Sequence, residues 1–295
     1  MRQIAERLMF AGAIVSLGAL WVVGVPAQSL TGSKDAAPVT SSGGTLVARR
    51  AGNVPAGIQG NAARLSAGEI VARMLEKNLQ RLVALERYES ERTYRLEYTG
   101  AGGEHHAEIQ VRAEYTGPDQ KRLTVVSESG SKFLCDKVLR RLVEGEQEAT
   151  AQSNRMRTTL GPKNYDTELV GEEMVAEPGG PIQTWVLRVT PKVNNKFTYR
   201  GKVWVSEDDY AVVRVLGEPA KNPSWWINRA RFESLYVRRG DVWLPAKNAS
   251  SSHVRIGGEA TLTIEYGTYP VVMERALKPT VASAENGTST VALGR

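Results

Sequence analysis

The chain of 295 residues is poor in the residues that build metal and redox sites: it has one cysteine, Cys135, and three histidines. One cysteine excludes an intramolecular disulfide. Together with three histidines, two of them adjacent, it leaves no cluster able to hold a metal. Charge is nearly balanced, with a formal net charge of +6 spread along the chain. There is no basic patch interleaved with aromatics, so nucleic acid is not expected as a partner. G-x-S-x-G, P-loop and H-E-x-x-H patterns are absent. His105 and His106 are neighbours on a predicted strand and point to opposite faces, so they do not share a ligand. His253 has no serine or cysteine near it in a nucleophile context, and Cys135 lies in the helix-like run KFLCDKVLRRLV, where a lone cysteine reads as a small core residue. No catalytic residue, metal site or cofactor is therefore expected.

Long apolar runs are missing too, with one exception. Arg2 and Arg7 precede an apolar run over 10–25, which closes on Val25-Pro26-Ala27. This is the layout of an export signal cleaved after Ala27. The alternative, an uncleaved anchor, would need a run of about 20 apolar residues. Cleavage would leave a net charge of +5 and no cysteine at the new N-terminus to carry a lipid. Residues 28–62 are rich in Gly, Ser, Ala, Pro and Thr and read as a flexible linker, and 276–295 read as a loose tail. Between them, residues 63–275 are long enough for one domain with a substantial core.

That domain opens on SAGEIVARMLEKNLQRLVALERY. Ser66 and Glu69 form a capping box, and Ile70, Val71, Met74, Leu75, Leu79, Leu82 and Val83 make one helical stripe. A second helix is predicted over SKFLCDKVLRRLVEGEQEATAQ. The remainder alternates with period two, as in HAEIQVRAEYTG, TYRLEYTG and EATLTIEYG. About ten strands are predicted, joined by turns such as TGPDQ and RRGD, with GAGG at 100–103 as a hairpin turn. Helices occur once before the sheet and once within it, which indicates an α+β antiparallel meander.

The acidic SEDD turn at 206–209 is read as solvated punctuation between two strands, its residue types suiting a turn. A sheet this wide has a dry face that two helices cover only in part. It either packs solid or curls around an apolar cavity. Cavity-wall candidates are Tyr94, Leu96, Tyr98, Ile109, Val111, Leu262 and Ile264. Trp225 and Trp226 stand either at a cavity rim or as a plug of packed core. The facing of Val203 and Trp204 is open, because YAVVRV beside them is apolar on both sides.

Over 197–269 a pattern emerges. Gly201, Val203, Trp204 and Val205 precede the acidic turn, and Tyr210, Val212 and Arg214 follow it. Gly240, Trp243, Leu244 and Pro245 mark the next strand, and Thr261 and Tyr266 the last. This resembles the exported outer-membrane lipoprotein-sorting proteins, the LolA/LolB-like group. The resemblance implies an open (half) antiparallel β-barrel with a helical lid over an apolar cavity. It also implies a non-enzymatic periplasmic role in binding lipid or lipoprotein acyl chains, with an inner-membrane donor and an outer-membrane acceptor protein as partners. Other members are sensors, which implies the alternative of a regulatory module that binds a protein partner. The chain departs from the carriers in its long N-terminal linker, its tail and the GEPAKNPSWWI connection.

Overall fold

The computed structural model describes residues 65–100, 102–117, 120–149, 159–195, 198–221, 227–254 and 257–273. Residues 1–64, Trp225, Trp226 and 276–295 lie outside the described residues.

Helix α1 (Ala67–Ala84) begins at the predicted capping box: the Ser66 side chain accepts from the Glu69 amide, and Glu69 accepts from the Ser66 amide at 2.8 Å. Ile70, Val71, Met74 and Leu82 are buried, Asn78 takes an inward position beside them, and Val83 is exposed. The chain then enters strand β1 (Leu85–Gly100) directly. The predicted helical stripe, Ile70 to Val83, lies within the helix, whereas the strand begins well before the predicted TYRLEYTG run at Thr93. The inward positions of early β1 include Ser90 and Arg92, and polar residues there conceal the alternation.

Strands β2 (Gly103–Thr116) and β3 (Gln120–Gly130) follow by hairpins. Helix α2 comes next in three pieces: Lys132–Leu134, a π-helical turn Cys135–Leu139 in which the Arg140 amide bonds the Cys135 carbonyl, and Arg140–Ala149. Eight strands complete the described residues: β4 (Tyr165–Val175), β5 (Ile182–Pro191), β6 (Tyr199–Ser206), β7 (Val212–Pro219), β8 (Ile227–Arg239), β9 (Val242–Val254), β10 (Gly258–Tyr266) and β11 (Val271–Met273).

All eleven strands form one antiparallel sheet in the order β3-β2-β1-β10-β9-β8-β7-β6-β5-β4, with β11 added on β1. Among the described residues the path does not close and runs from β3 at one edge to β4 at the other, and the fold is the expected open antiparallel barrel. The register lays one inward row across nine strands: Ile109, Tyr94, Ile264, Asn248, Ser234, Val215, Val203, Leu187 and Leu169. Val203 therefore faces inward. Trp204 points to the outer face, where its Nε1 donates to Glu173 at 2.8 Å and the Arg214 guanidinium lies 4.7 Å from the ring centre.

Two apolar clusters fill the inward face. One gathers β1, β2 and β10 under α2; the other gathers β4 to β8 under the first half of α1. Close strand approach in the second cluster depends on Gly201. A Cβ there would stand 2.1 Å from the Leu216 carbonyl oxygen, an approach the backbone must yield to. Gly201→Ala is therefore expected to lower unfolding free energy by about 1–3 kcal/mol, measured by urea denaturation with an unchanged m-value.

Candidate functional site: the inward face beneath the second helix

The seven wall candidates come together. Tyr94, Leu96, Tyr98, Ile109, Val111, Leu262 and Ile264 sit on three adjacent strands, all inward and all buried in one cluster. Period-two alternation places them there because each strand offers one face to the core. Over them lies α2, contributing Leu134, Cys135, Val138, Leu139, Leu142 and Val143. The Cys135 thiol is buried in this cluster, and burial pushes its pKa up. An open groove of about 680 Å³ adjoins this cluster. It shares Leu82 and Leu85 with it, and Val83, Glu86, Arg87, Thr116, Gly117 and Val272 complete its lining.

The helix is tied to the wall by a buried charged cluster. Glu146 of α2 accepts from Arg92 at 2.5 Å, from Lys121 at 2.6 Å and from the Tyr94 hydroxyl at 2.8 Å. The Arg92 guanidinium also lies 4.8 Å from the centre of the Tyr266 ring. Burial alone would raise the Glu146 pKa, but Lys121 and Arg92 reverse this and hold the carboxyl at about 2. Two cations face one carboxylate, so the cluster keeps a positive charge beneath the helix. Arg92 Nε is buried without a hydrogen-bond partner.

The acidic turn is more than punctuation, which corrects the reading of SEDD. Asp209 accepts from Trp243 Nε1 of β9 at 2.8 Å and pairs with Arg81 of α1 at 3.2 Å; Arg81 also donates to the Asp209 carbonyl. Tyr210, held at a φ of 57°, accepts from Arg73 at 2.7 Å and packs against Trp185. The turn thus anchors α1 to the sheet through partners 128 and 34 residues away in sequence. That separation is why local turn chemistry gave no sign of it.

His105 stacks near Tyr98 with ring centres 6.3 Å apart and approaches the Gly102 carbonyl at 3.0 Å, while His106 is exposed. His253 lies on the outer face 3.8 Å from Glu259. Among the described residues, no group of three or more His, Cys, Asp or Glu is placed to hold a metal, and no helix is long and apolar enough to cross a membrane.

Neither the protein-family models nor the curated protein sequences give a match. Among solved structures the chain is similar to a DUF1329 family protein from Desulfovibrio piger, at 13% identity over 69% of this chain and 92% of that one, with a TM-score of 0.36. It is similar to a LolA superfamily protein from Nitrosomonas europaea, at 10% identity over 73% and 96%, with a TM-score of 0.32. A third is MucB in the Pseudomonas aeruginosa MucA/MucB complex, at 14% identity over 71% and 99%, with a TM-score of 0.22. These likenesses concern the fold and carry no function with them.

Two outcomes test the polar ties. The Glu146 carboxyl is held below its ordinary 4.5 in the fold, so its contribution is complete above the ordinary carboxylate range and is lost as pH falls toward about 2. Unfolding free energy should therefore fall between about pH 5 and 2, and Glu146→Gln should flatten that part of the profile while lowering stability at neutral pH. Asp209→Ala, which removes acceptors from both Trp243 and Arg81, should cost about 2 kcal/mol in thermal or chemical unfolding.

Proposed function

We propose that this chain is a non-enzymatic periplasmic binder or carrier of lipid or lipoprotein acyl chains, acting in outer-membrane lipoprotein sorting. The observation that carries the reading is the contiguous apolar wall of Tyr94, Leu96, Tyr98, Ile109, Val111, Leu262 and Ile264 beneath a single helix. That helix reaches the wall through apolar packing and one ionic cluster. In this reading α2 is the lid, the wall receives the chain when the lid lifts, and the groove beside Leu82 and Leu85 is the way in. The domain spans 63–275, delivered by an export signal at 1–27 and followed by a tail at 276–295.

The energetics suit transfer. Each buried CH₂ gains about 0.8 kcal/mol, a gain a bilayer offers equally. A carrier holding a chain at parity releases it when a donor or acceptor protein in either membrane shifts the lid equilibrium. The resting lid packs against the wall, so loading exchanges one apolar partner for another and leaves little net affinity to overcome on release.

Gentle-ionisation mass spectrometry of the protein drawn from a periplasmic extract should find an added mass equal to an acylated lipid. Leu262→Asp, in protein retaining its β-sheet circular dichroism, should abolish both that mass and uptake of a fluorescent fatty acid. Protein that carries no lipid and takes up no probe, yet holds a protein partner tightly, would replace this reading with that of a lipoprotein-sensing module.

A further inference from the structure

Between the two apolar clusters, the inward rows change character. Where they cross β9 and β8 they run through Asn248, Ser234, Ser250 and Ser252, all buried. Tyr236 lies two residues beyond Ser234 on the same strand and is equally buried. Helix α1 covers the second cluster, to which Tyr236 belongs, and α2 packs most closely on β2 and β3. Three atoms of this strip, Ser234 Oγ, the Tyr236 hydroxyl and Asn248 Oδ1, are buried with no hydrogen-bond partner. Burial without a partner is rare enough in folded proteins that three such atoms on neighbouring positions call for a cause.

The three atoms define a complement. Ser234 and Tyr236 offer hydroxyl donors that need an acceptor, whereas Asn248 Oδ1 needs a donor; its Nδ2 is already engaged with the Tyr266 hydroxyl at 2.6 Å. None of the three side chains is charged, and burial raises the Tyr236 pKa, keeping its proton in place. The matching group is therefore uncharged and carries a carbonyl oxygen close to an N–H or O–H. Across the strands Asn248 pairs with Ile264 and Ser250 with Leu262, so the strip borders the acyl wall directly.

We propose that this strip binds the uncharged carbonyl linkage of an acylated ligand, an ester with a neighbouring hydroxyl or an amide, while the chain itself lies on the adjoining wall. The proposal rests on the acyl-binding reading above and adds the linkage chemistry to it. Because Ser234 and Asn248 are closed to solvent, binding accompanies an opening of the face.

The test compares 1-monolauroylglycerol with the chain-matched 1-O-dodecylglycerol, an ether that keeps the hydroxyls and loses the carbonyl. Each displaces a fluorescent fatty acid from the full chain stripped of lipid. Wild-type protein should prefer the ester by about tenfold, the value of one well-formed hydrogen bond. The double variant Ser234→Ala, Tyr236→Phe should lose that preference, keep its affinity for the ether, and melt no lower than wild type. Equal binding of ester and ether by wild type overturns the proposal and leaves acyl binding standing. A double variant that melts lower or fails to fold means the hydroxyls are bonded within the fold, which also overturns it. Displacement by neither compound removes the acyl-binding reading itself.

Discussion

An antiparallel sheet with one dry face must cover that face, and here the face is wider than its helices. Ten strands follow one another along a single unclosed path, while α1 and α2 rest on separate parts of it. Curling shortens the problem, bringing β4 to the helix that runs directly into β1, but it does not abolish the middle. The division into two apolar clusters, the polar strip between them and the placement of each helix all follow from this shortage of cover.

Each helix is secured by a polar tie at the margin of its apolar footprint. Arg81 and Asp209 hold α1; Arg92, Lys121 and Glu146 hold α2. The two ties differ in kind. The first is partly exposed and bridges to Trp243, so it fixes position at modest cost. The second is fully buried, and charges that deep are favourable only while all the partners remain together. Separation of α2 from the wall would hydrate three ionic groups at once, which offsets part of the penalty of wetting the apolar surfaces. A buried ionic cluster of this sort lets a helix be firmly seated without making its departure prohibitive.

Much of the architecture could be read from alternation. Ala107, Ile109, Val111, Ala113 and Tyr115 declare the inward face of β2 by spacing alone, and Leu262 and Ile264 do the same for β10. The start of β1 escaped because Ser90 and Arg92 occupy inward positions, although counting back by twos from Tyr94 reaches both. Glu146 escaped because EGEQE resembles a solvated run. Its place four residues after Leu142 and three after Val143 nevertheless sets it on the apolar stripe of α2. The role of Asp209 was beyond local reading, since Arg81 and Trp243 are brought to it only by the completed sheet. Polar residues at inward positions carry the information that hydrophobic patterning discards.

The π-helical turn at Cys135–Leu139 sets the phase of everything after it. A regular helix advances about 100° per residue, so the wider turn offsets the second half of α2 against the first. Leu134 before the turn, Val138 and Leu139 within it, and Leu142, Val143 and Glu146 after it all meet the same wall. Removing a single residue from this turn would make α2 a more regular helix and rotate Glu146 away from Arg92. The irregularity is thus a timing element: it costs local helical order and keeps the distant carboxylate aimed at its cations.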